Sequence, residues 1–145
     1  MIQSQRLSPP LWTRWLVVGL WMAFIFIMSA QSNSGEQSGL IARLVAQVIG
    51  AGTDPSQFAW VHHLIRKLAH FTEYGILAVL MAWAQPGLNW KRAALTWVAA
   101  SLYAASDEWH QSFVPNRGPA VTDVLIDASG ALAGLAVWML WARRR

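Results

Sequence analysis

Cysteine is absent from this 145-residue chain, so neither a disulfide framework nor thiol chemistry is open to it. That absence does not fix the compartment. Charge is scarce as well: Asp, Glu, Lys and Arg make up 12% of residues, against about 25% in soluble domains. Acid is the scarcer sign, at seven residues against eleven basic ones. No internal repeat and no low-complexity segment interrupts the chain. A soluble domain with a conventional charged surface is therefore excluded, and no nucleic-acid partner is expected.

What is abundant points to a membrane. Hydrophobic residues reach 55%, and the ten Trp suit bilayer interfaces, where Trp gathers. The length fits one domain, residues 1–145. The expected fold class is all-α: a polytopic membrane bundle of four transmembrane helices plus a short interfacial amphipathic helix. A span needs roughly 20 apolar residues at 1.5 Å each to cross about 30 Å of hydrocarbon. Residues 11–30 meet that length. Met28-Ser29-Ala30 matches a signal-peptidase site only loosely, and further spans follow, so a retained span is expected.

Residues 35–50 carry the interfacial helix. Leu40, Ile41, Leu44, Val45, Val48 and Ile49 form one stripe at helical spacing, and Ser34 with Gln37 is a capping-box pattern. Asp54-Pro55 starts the next helix, whose span covers about 64–84 before Pro86-Gly87 breaks it. The third span covers about 93–110, behind Lys91 and Arg92, and its many Ala suit close packing in lipid. The fourth covers about 121–142, ahead of three terminal Arg.

Charge signs set the orientation. With four spans, both termini share a side that holds Arg6, Arg14, Lys91, Arg92 and Arg143 to Arg145, and no acid. The positive-inside rule makes that side cytoplasmic. All seven acids fall on or near the other side, so the polar stretch from Tyr103 to Asp127 faces outward.

Three polar pieces should meet at that outer end. On the second span, spacings of three and four put Lys67, His70 and Tyr74 on one face, with Glu73 beside His70. The third span ends in Asp107, Glu108, His110 and Gln111, with Asp107 and Gln111 on one face. Arg117 follows in a loop, then Asp123 and Asp127 one turn apart on the fourth span. Gly130 and Gly134 continue the face of the two Asp, and that G-x-x-x-G would admit a close neighbour, so both Asp should point into the bundle. Asp123 could cap its helix or pair with Arg117, and Arg66 could snorkel to head groups. His70 should face Asp107 or Glu108. Glu73, Asp107, Glu108, Asp123 and Asp127 outnumber Arg117 and Lys67, so the surplus must be protonated, hydrated or bound to a metal or ligand.

Lys67-x-x-His70-Phe-x-Glu73-Tyr74, Asp107-Glu108-x-x-Gln111-x-Phe113-x-Pro115-x-Arg117 and Asp123-Val-x-x-Asp127-x-x-Gly130 together resemble the VanZ-like family of small polytopic bacterial membrane proteins. The resemblance covers about residues 67–134, and the first span adds a matching Ser29-Ala-Gln31-Ser32 end. That family's namesake accompanies glycopeptide-resistance genes and raises resistance to teicoplanin. The resemblance implies an envelope role and supplies no reaction. The family commonly has Asn or Asp at the position of Asp127.

Three functions follow as expectations. The first is a site that binds or handles a lipid-linked or anionic head group, such as a membrane lipid or lipid-linked cell-wall intermediate. In it, Lys67, Tyr74, Gln111, Arg117, Asp123 and Asp127 bind the ligand. The second is a membrane-embedded hydrolase or transferase, with His70, Glu73, Asp107 and Glu108 catalytic and the carboxylates as candidates for a divalent metal. The third is a non-catalytic subunit whose polar cluster is an internal lock.

Overall fold

The computed structural model describes residues 9–30, 34–48, 50, 55–114 and 120–144, with side chains for all of these except 30 and 34–40. The described residues form five α-helices and no strand: α1 Leu11–Ala30, α2 Ser34–Val48, α3 Pro55–Ala84, α4 Trp90–Gln111 and α5 Val121–Ala142. Pro55 opens α3, where a proline's missing N–H leaves no bond unmade. The turn after α3 passes through Gly87 at φ 77°, a left-handed conformation that favours glycine. Asn89 then caps α4, its side-chain oxygen accepting from the Arg92 N–H at 2.9 Å.

α3 is the hub of the bundle and packs most extensively on α5. The two helices run parallel, because partners advance together along both: Lys67 meets Asp123, and Gly75 meets Gly130 and Gly134. Their seam is backbone on backbone. A Cβ on Gly130 would collide with the Phe71 carbonyl, and one on Gly134 with the Gly75 carbonyl. α1 runs antiparallel to α3: the Trp21 indole donates to the Glu73 carbonyl at 3.0 Å, and Arg14 lies near the Trp83 carbonyl and 5.6 Å from its ring. α4 ties to α1 through the Tyr103 hydroxyl, which donates to the Met22 carbonyl at 2.6 Å. It ties to α5 through the Trp97 indole and the Ala128 carbonyl at 2.9 Å.

Side chains are distributed in the reverse of a soluble protein. Asp107, Glu108, Gln111, Asp123 and Asp127 are buried, whereas Leu16, Leu20, Leu95, Leu102, Leu125 and Leu132 are exposed. α1 (over Leu11–Ser29) and α5 are long and apolar enough to cross a membrane. α3 and α4 do not qualify on that measure: α3 carries Arg66, Lys67 and Glu73, and α4 carries Lys91, Arg92, Asp107 and Glu108. Four spans are thus not established by length and apolarity.

α2 meets the bundle through a face other than its large apolar stripe. Ala42 and Ala46 are buried against Phe58, Val61 and Ile65 of α3. Ile41, Leu44, Val45 and Val48 point away and are exposed. Small alanines let the two helices approach closely, and the bulky residues remain on the outside.

Candidate functional site

The polar residues gather where the first turn of α5, the last turns of α4 and the middle of α3 meet. Asp123 is nearest the loop side. It accepts from the Lys67 ammonium at 2.6 Å, and Arg66 lies 3.7 Å from its other oxygen. The expected helix-capping role is not what Asp123 does: Ala120 is the N-cap of α5 and has no side-chain cap bond. Nor is Arg66 only a snorkelling side chain, since its guanidinium faces that carboxylate. Arg117, the other expected partner, lies outside the described residues, as does the rest of 115–119.

One turn further along α5, about 6 Å along its axis, Asp127 meets His70. Its Oδ1 is 3.5 Å from His70 Nδ1, an ion-pair distance longer than a well-formed hydrogen bond. The histidine therefore faces α5 and not, as expected, mainly Asp107 or Glu108 on α4. The reason is the glycine seam, which draws the Lys67-His70-Tyr74 face of α3 onto α5. Glu73 lies within electrostatic reach of His70, Asp127 and Asp107.

α4 supplies the third wall. Asp107 Oδ2 accepts from the Gln111 amide at 3.1 Å, the pairing their shared face implied. Glu108 Oε1 accepts from the Ala120 N–H at 2.7 Å and so anchors the entry to α5. Two neighbours come from α1. Ser29 lies beside Asp107, and Phe26 stacks on the His110 ring with centroids 4.2 Å apart. Ser29 was not singled out as a site residue from sequence. The only signal was its place in the family-like end of the first span.

Most telling is what stays unsatisfied. His70 Nδ1, Tyr74 OH, Asp107 Oδ1, Glu108 Oε2 and Asp127 Oδ1 are all buried and lack a hydrogen-bond partner among the described residues. Buried polar atoms are normally paired, and each exception calls for an explanation. The two cations described here, Arg66 and Lys67, both serve Asp123. Among the described residues, no group of three His, Asp or Glu side chains is placed to hold a metal ion.

The sequence model of the VanZ/LLP1 family matches residues 14–142, nearly the whole chain. The protein belongs to the VanZ/LLP1 family. No curated protein and no solved structure matches it. VanZ/LLP1 membership and two membrane-length apolar helices together point to a membrane protein, and membership is consistent with a link to glycopeptide resistance. In this VanZ/LLP1 chain the family-like residues of α3, α4 and α5 that are described converge on one cluster. Lys67 and His70 on α3, Asp107 on α4, and Asp123 and Asp127 on α5 come from three separate stretches of sequence and meet at the same end of the bundle.

Proposed function

We propose that this protein is a multi-pass protein of the bacterial cytoplasmic membrane whose outward-facing polar site binds the head group of a phosphate-bearing lipid or lipid-linked cell-wall intermediate. α1, α3, α4 and α5 are the four spans, with both termini cytoplasmic. The charge map supports this orientation: Arg14, Lys91, Arg92, Arg143 and Arg144 lie at the end away from the carboxylates. α2 rests in the outer interface with Ile41, Leu44, Val45 and Val48 turned to lipid.

The observation that carries the reading is the Arg66–Lys67 pair above a cluster of buried, unpartnered oxygens. The two cations, about a quarter to a third exposed, can reach a phosphate at the rim. The inner acceptors suit head-group hydroxyl or amine donors. An internal lock would leave those atoms paired. The test is to purify the full chain from cells and quantify the lipids that accompany it. Phosphate-bearing lipid should be enriched on the wild type and depleted on Lys67→Ala. Identical lipid complements would remove the head-group role.

A second reading, as a hydrolase or transferase, is favoured by the His70–Asp127 pair. A carboxylate at Nδ1 orients the ring and leaves Nε2 as a general base. On this reading His70→Gln ends turnover of the bound lipid while the lipid still accompanies the protein.

A further inference from the structure

Arg66 and Lys67 lie at Asp123 on the rim, so the described basic neighbours of Glu73, Asp107, Glu108 and Asp127 further in are two histidines, His70 and, beside Asp107, His110. Asp107 and Asp127 are each 1% exposed and Glu108 is 4% exposed; Glu108 Oε2 lacks a hydrogen-bond partner, Asp107 Oδ1 has only the neighbouring Ser29, and Asp127 Oδ1 only the 3.5 Å approach of His70 Nδ1. The Tyr74 hydroxyl is an independent pointer. Its side chain is fully buried, it has no partner, and its electrostatic neighbours are Asp107, Asp127 and Glu73. The Tyr74 hydroxyl can donate one hydrogen bond to this cluster, but the carboxylate oxygens outnumber it, and a donor with several N–H groups and a positive charge would satisfy the remainder. A primary ammonium has three donors and no acceptor.

We infer that the buried cluster of Tyr74, Asp107, Glu108 and Asp127 is a primary-ammonium site, so that the head group bound is a zwitterion. Its phosphate sits at Arg66 and Lys67, and its ammonium is held one helical turn further in. This rests on the head-group reading and narrows it. The spacing fits a short linker, because Asp123 and Asp127 mark the two levels about 6 Å apart along α5. His70 and Glu73, each partly buried, adjoin the inner carboxylates. An all-anionic head group would satisfy the rim and leave the inner acceptors facing one another.

The test uses the full chain in nanodiscs and three probes that share a phosphate: phosphatidylethanolamine, phosphatidylcholine, which has no N–H, and phosphatidylglycerol, which has no amine. Binding is read by native mass spectrometry. Phosphatidylethanolamine should bind at least about tenfold more tightly than either of the others, the effect of one charge-assisted hydrogen bond. Asp107→Asn with Asp127→Asn keeps the shapes and should erase that preference while phosphate-dependent binding persists. Equal affinity of the wild type for all three lipids would overturn the ammonium site and leave the head-group reading standing. Binding of none would remove both. The wild-type comparison decides the matter even if the double variant fails to fold.

Discussion

Lys67 and His70 are three residues apart on α3, and their partners Asp123 and Asp127 are four apart on α5. Two charge contacts are thus stacked along one seam, and they differ in kind. The Lys67–Asp123 bond is short and partly open to solvent, so it is expected to contribute stability as well as a phosphate handle. Lys67→Ala should lower the unfolding free energy in detergent by about 1.5–3 kcal/mol, the range for hydrogen bonds to charged groups. A loss within experimental error would mean that Arg66 takes over Asp123 entirely. The His70–Asp127 contact is longer and almost wholly buried, and it should matter more for function. Asp127→Asn keeps the side chain's volume and removes its charge. If Asp127 serves only as a hydrogen-bond acceptor, lipid binding survives. If the charge holds an ammonium or orients the imidazole, ligand binding or turnover falls with little change in the thermal midpoint. Midpoint and binding measured on one preparation separate the two.

Among the elements, the α3–α5 seam makes the strongest stability prediction. Gly134→Ala would set a methyl group against the Gly75 backbone carbonyl, which cannot move aside as a side-chain end can. The two helices would have to separate, at about 1–3 kcal/mol for overpacking of this kind. Gly19→Ala on α1 meets nothing within 4 Å and should be neutral or slightly stabilising. Thermal unfolding of the two variants in one detergent checks the contrast, and similar midpoints would show that the seam relaxes freely. This seam was partly legible in the sequence. The spacing of Asp123, Asp127, Gly130 and Gly134 showed a single face, and Asp54-Pro55 and Pro86-Gly87 bracketed α3. What could not be read was the neighbour. Periodicity tells which side chains share a face and is silent on which helix covers it, so His70 was matched to α4 when α5 receives it. The stripe on α2 reads as the apolar face of an interfacial helix, and Ile41, Leu44, Val45 and Val48 are exposed; what could not be read was which face of α2 covers α3. Large apolar residues mark a buried face in a protein that water surrounds, whereas here Ala42 and Ala46 are the buried ones.

At the scale of the molecule, charge is sorted from end to end, and the proposed four-span topology predicts the outcome of labelling. Phe113, at the end of α4, is exposed, and so is Trp90 at its start. A single Cys at residue 113 should react with an impermeant thiol reagent on intact cells, and one at residue 90 only after permeabilisation. The opposite pattern would invert the protein and place the head-group site in the cytoplasm. Because the native chain has no cysteine, neither variant needs a background correction.

The position of Asp123 and Asp127 also has a consequence for biosynthesis. Both lie on α5, which leaves the ribosome after α3, while Lys67 and His70 lie on α3, Lys67 being made 56 residues before Asp123. α1 and α5 are long and apolar enough to cross a membrane, and α3 does not meet that measure. Until α5 arrives, α3 holds an ammonium without its carboxylate, so the half-made chain must wait at the translocon or under a chaperone's cover. A chain ending at Ala120 is therefore expected to be degraded rapidly in pulse-chase experiments. Supplying α5 as a separate peptide from Val121 should restore its lifetime, and supplying it with Asp123→Ala and Asp127→Ala should not. Assembly of this protein would then be timed by the arrival of α5, with the same two carboxylates that shape the site acting as the signal that α3 can settle in the bundle.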